Sequence, residues 1–83
     1  MAKVLEILII ARLLLLNDNI NSVARIIANL TEVMNWSIYQ AEQCAILADG
    51  VGQIELTKGS IKELKELQSK FKKVNIATQI VSK

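Results

Sequence analysis

The chain contains no histidine and one cysteine, Cys44. Imidazole acid–base chemistry, a Cys-His nucleophile and the familiar zinc ligand sets are therefore beyond its side chains, and neither a metal nor a cofactor is expected. Its polar chemistry sits in carboxamides and carboxylates. Asn17-Asp18-Asn19 follows directly on Leu13-Leu14-Leu15-Leu16, and Asp49 stands before Gly50. Amide and carboxylate oxygens accept hydrogen bonds, so these residues could hold a cationic donor. Taken alone, Asn-Asp-Asn is equally a turn, since such side chains bond their own backbone and tolerate unusual φ. Asp49 taken alone is a helix-end residue before a glycine cap. Because no nucleophile–base pair can be assembled, the expected class is a binding protein that catalyses nothing.

Two further features carry less chemistry. Lys62, Lys65, Lys70, Lys72 and Lys73 make one segment basic, yet Glu63 and Glu66 lie among them, and Glu66 precedes Lys70 by one helical turn in the favourable order. With a formal net charge of +2 and the one interleaved aromatic, Phe71, on the inward stripe and not on the basic face, that face reads as solvated, and nucleic acid is not an expected partner. Cys44 falls on an apolar stripe, where a buried thiol is inert, and a lone cysteine cannot close an internal disulfide. Trp36, just before Ser37, is positioned to pack as a staple at a helix entry.

The elements that must position these residues follow from pattern. Eighty-three residues, 52% hydrophobic and 22% charged, describe one folded domain over residues 1–83. The start, MAKVLEILIIARLLLL, imitates a signal peptide, but Glu6 and Arg12 interrupt it and no small-residue cleavage site follows. A membrane span takes about 20 apolar residues, so a cytoplasmic chain with no membrane partner is expected. Residues 4 to 16 read as a long strand buried on both faces. From Asn21 or Ser22, the expected N-cap, Val23, Ile26, Ile27, Leu30, Val33 and Met34 recur at helical spacing. Ser37-Ile-Tyr-Gln40 has the form of a capping box, and it opens a second helix with Ile38, Ala41, Cys44, Ala45 and Ala48 inward and Asp49-Gly50 as its end. Gly52 to Leu56 alternates as a short strand. Ser60-Ile-Lys-Glu63 opens a third helix with Ile61, Leu64, Leu67 and Phe71 inward, and Val74 to Ile80 alternates as the last strand. The order β-α-α-β-α-β predicts an α/β domain of the α+β sandwich kind, a three-stranded sheet with three helices on one face.

The run from Leu13 to Gly52 resembles ClpS, the adaptor that hands N-degron substrates to the Clp protease. The family's pattern is an apolar strand, Asn-Asp-Asp, two helices and a glycine shortly after the second. Here its counterpart is the leucine run followed by Asn17-Asp18-Asn19, with Arg12 where the family has a basic residue, and the spacing through Ala41 and Gln43 to Gly52 takes no gap. The likeness covers about half of the chain by motif and the remainder by element order. The ribosomal stalk protein's C-terminal domain shares the fold, so fold alone does not fix function. The resemblance implies a Clp AAA+ ATPase and N-degron polypeptides as partners. It implies that Asn17 and Asp18 hold the substrate's α-ammonium, which needs acceptors, and that Asn21, Val23, Ile26, Ala45 and Ala48 line the pocket for its first side chain.

The departures are specific. Asp49 stands where the family has a histidine at the α-amino site; a carboxylate is still an acceptor, so Asp49 joins Asn17 and Asp18 as a candidate ligand. Val23 and Ala45 are smaller than their family counterparts, which widens the pocket. Around residues 53 to 60 the chain is a few residues shorter than the family pattern. Where the family has a mobile polar extension before the first strand, this chain has the apolar Val4 to Ala11, which reads as a strand edge able to pair with a second copy. The alternative function is accordingly a non-catalytic interaction or assembly module, homodimeric through Val4 to Ala11, with the fold but without N-degron recognition.

Overall fold

The computed structural model describes residues 9–16 and 21–82. Its elements are β1 (Ile10–Leu16), α1 (Val23–Met34), α2 (Ile38–Val51), β2 (Gln53–Ser60), α3 (Ile61–Lys73) and β3 (Thr78–Ser82). The sheet is antiparallel throughout, in the order β2-β1-β3. Its leucine-rich strand is thus the central one, which is where a strand gains most from apolar side chains. Ala11, Leu13 and Leu15 point to one face and are fully buried. They share a single core with Ile26 and Leu30 of α1, Ala41, Cys44, Ala45 and Ala48 of α2, and Leu64 and Phe71 of α3, so all three helices cover the same face. The α+β architecture and its element order are those expected from the pattern.

The other face corrects the expectation that the first strand is buried on both sides. Leu14 is buried there, but Ile10 is exposed and Arg12 and Leu16 are only partly covered. Arg12 reaches Glu55 across the sheet at 3.6 Å, an exposed pair of the kind worth at most about 1 kcal/mol. Residues 4 to 8 of the expected strand lie outside the described residues. Alternation is the reason for the difference: helices on one face leave the even positions of an antiparallel strand to solvent.

Capping fixed the helix starts as read. Ser22, Ser37 and Ser60 are the three N-caps, each accepting from the backbone N–H three residues on. The box is complete only at Ser60, where Glu63 also accepts from the Ser60 N–H; at α2 only the Ser37 half forms. The ends moved further. The C-cap of α2 is Gly52, at φ 101°, and Gly50 lies inside the helix. β2 runs on to Ser60, carrying Leu56 as the extra residue of a bulge opposite Leu13 and Leu14. β3 begins at Thr78, because Val74 caps α3 and Asn75 is left-handed at φ 59°, and neither conformation continues an extended strand. Ile38 and Val23, expected inward, are exposed at 69% and 40%.

Candidate functional site

The register brings several chain segments to one end of the sheet. β1 finishes at Leu16, whose partner on one side is Gln53. Gln53 follows the Gly52 cap directly, so the last turn of α2, with Asp49, meets the sheet at the Leu16 end. On the other side the Leu16 N–H donates to the Ala77 carbonyl at 3.1 Å. Asn21, just before the Ser22 cap of α1, donates from Nδ2 to the Asn75 carbonyl at 2.7 Å. One polar rim therefore collects the end of β1, the start of α1, the end of α2 and residues 75–77.

Of the three expected ligands, the structure describes Asp49 alone. Asn17 and Asp18 lie outside the described residues, between Leu16 and Asn21. Asp49 is exposed in the last turn of α2, one turn beyond Ala45 and next to Ala48. That turn contains no basic residue, and a helix C-terminus carries unpaired carbonyls and a negative partial charge. An acidic side chain there opposes the helix dipole, whereas a bound cation would match both.

Of the five expected pocket residues, three lie together. Ile26, Ala45 and Ala48 are buried in the common core, where α1 packs on α2. Asn21 is half-buried and committed to Asn75, and Val23 stands exposed on the first turn of α1. Three surface grooves instead flank α3, one of them about 540 Å³ between α3 and the start of β3, lined by Lys65, Gln68, Ser69, Lys72, Ile76, Ala77 and Thr78. Among the described residues no group of His, Cys, Asp and Glu side chains is arranged to hold a metal ion, and no helix is long and apolar enough to cross a membrane.

What the sequence reading missed is the outer side of α2. Tyr39, Ile46, Leu47 and Val51 are all more than half exposed, Val51 at 74%. The inward stripe of this helix is made of Ala41, Cys44, Ala45 and Ala48, so small side chains face the core and large apolar ones face outward. The signal was present in the residue sizes, because a stripe of alanines lets a helix sit close to its neighbour without using its larger residues. Cys44 is as expected: burial pushes its thiol pKa up, which keeps it protonated and unreactive.

No family model matches the chain, and no curated protein does. Among solved structures it is similar to Agrobacterium tumefaciens ClpS2 bound to L-phenylalaninamide, with a TM-score of 0.71 at 16% identity, covering 87% of this chain and 96% of that one. At that identity the likeness is one of fold, and at 87% of the chain it extends beyond the Leu13–Gly52 segment.

Proposed function

We propose that this chain is a ClpS-like adaptor, a non-catalytic, cytoplasmic single domain that binds N-degron polypeptides and presents them to a Clp AAA+ ATPase. The observation that carries the reading is the fold match over 87% of the chain to a ClpS2 whose ligand, L-phenylalaninamide, combines a free α-amino group with a large apolar side chain. An ammonium group has donors only. Asn17 and Asp18 supply acceptors after β1, and Asp49 supplies one from the α2 terminus, whose dipole favours a cation. The side-chain pocket of this reading is lined by Asn21, Val23, Ile26, Ala45 and Ala48, of which Ile26, Ala45 and Ala48 are buried where α1 packs on α2, so a first side chain enters only as α1 and α2 part.

The test is binding of fluorescent peptides that begin with Leu, Phe, Tyr, Trp, Ile or Val, each beside its N-acetylated twin. Charge-assisted hydrogen bonds contribute about 1.5–3 kcal/mol each, so acetylation is expected to weaken binding by at least about tenfold, and Asn17→Ala by a similar factor. Equal binding of the acetylated twins would overturn the α-ammonium reading.

A second reading is a non-catalytic interaction module that assembles with copies of itself. The apolar outer face of α2 favours it. Of the segment Val4 to Ala11, Val4 to Leu8 lie outside the described residues, Ile10 is exposed and pairs with β2 only, and Ala11 is fully buried and paired on both sides, with Gly59 and Ser82.

A further inference from the structure

The two edges of the sheet are not alike. β2 is blunted by its bulge and by Glu55 and Lys58, devices that discourage another strand from adding. β3, Thr78-Gln-Ile-Val-Ser82, has no charge, no proline and no shift in its register with β1. Because the Ala77 carbonyl points to β1, the alternation of an antiparallel pair turns the backbone groups of Thr78, Ile80 and Ser82 away from the sheet. The Thr78 carbonyl is held by Gln68 Nε2 at 3.2 Å, which fixes α3 alongside this edge. The groove of about 540 Å³ lies in the angle between them, with Lys65 and Lys72 two turns apart on its helical wall. The Thr78 hydroxyl is buried beside it with no hydrogen-bond partner.

We propose that the β3 edge and the α3 groove form a second polypeptide-binding site, which takes an extended acidic segment of a partner protein by strand addition. A strand laid on β3 bonds the outward groups of Ile80 and Ser82, and its alternate side chains descend on the helical side of the sheet into the groove. Lysines on the wall select carboxylates there, while the intervening residues lie over the outer face beside Val81. Charge also decides between occupants. A second copy adding β3 to β3 would bring both sets of Lys65 and Lys72 to one seam, a like-charge juxtaposition that an acidic segment reverses.

The experiment is an amide-resolved NMR titration of the whole chain with a Val-Glu-Val-Glu-Val-Glu peptide, acetylated and amidated so that it offers no α-ammonium to the site at the α2 terminus. Shifts are expected at Thr78, Ile80 and Ser82 and along Lys65 to Lys72. N-methylation of alternate peptide residues removes the ladder donors and is expected to abolish binding, as is Lys in place of Glu. Lys65→Glu with Lys72→Glu, both on exposed positions, is expected to weaken binding at least about tenfold and to admit the lysine peptide instead. No shift of the β3 amides at about 1 mM peptide, or equal binding of the N-methylated twin, would overturn the proposal.

Discussion

Glu63 and Ser60 exchange three hydrogen bonds at the start of α3: the Glu63 N–H donates to Ser60 Oγ at 3.2 Å, and Glu63 Oε1 accepts from the Ser60 N–H at 3.2 Å and from its hydroxyl at 2.9 Å. The bond from the Ser60 backbone, then that from its hydroxyl, lower the Glu63 carboxyl below its usual range. A depressed carboxylate contributes stability that is present above the unfolded value of about 4.3 and is lost as pH falls through the folded value. Glu63→Gln keeps a capping side chain that does not titrate. In acid denaturation followed by circular dichroism, the wild type is expected to lose stability more steeply than Glu63→Gln as pH falls below about 4.3. Parallel profiles would mean that the box contributes nothing to the acid limb. This box was legible because four consecutive residues, Ser60 to Glu63, contain all of it. Asn21 was not: it was read as a cap or a pocket wall, and its amide instead bridges to Asn75, a partner 54 residues away.

At the scale of the element, two glycines two residues apart have opposite roles. Gly50 is helical and a Cβ there would meet nothing within 4 Å, while Gly52, equally open, is held at φ 101°. Gly50→Ala is expected to stabilise the fold by about 0.5–1 kcal/mol, since it replaces the most flexible helical residue in open space. Gly52→Ala is expected to destabilise it by about 1–2 kcal/mol, from backbone strain alone. Urea titration of the two variants measures both signs, and a reversed pair would place the end of α2 at Gly50. The sequence reading put the cap at Gly50 because glycine takes the left-handed cap conformation without a Cβ clash. Nothing local separates that from a stop two residues later. The antiparallel register of β2 against Leu16 decides it, because Gln53 must already be extended to pair.

At the scale of the molecule, charge and apolar surface are segregated. α3 has five lysines against two glutamates, more net charge than the whole chain's +2, so the remainder is slightly acidic. Among the described residues, five of the eight exposed large apolar side chains are on α2, where Tyr39 and Ile46 are two turns apart on one face and Leu47 and Val51 lie to one side of them. An apolar face of this kind marks an interaction surface. Sedimentation velocity is expected to show weak, reversible self-association that grows with concentration, and Ile46→Glu is expected to return the chain to monomer. A wild type that stays monomeric at about 1 mM would remove self-assembly from its functions.

The sequence by itself determined the number, kind and order of the elements, the serine caps and most of the inward stripe. These are set by interactions within a few residues: side chain to nearby backbone, and an apolar face that must be buried somewhere. Only the tertiary structure decided that the leucine strand is central and lined on one face by helices, that Val74 to Ala77 turn before β3 begins, and that Ile38 and Val23 look outward. It also decided that the end of β1 and the last turn of α2 share one rim. Each of these depends on which strand lies beside which, and pairing between distant segments leaves no mark in local composition.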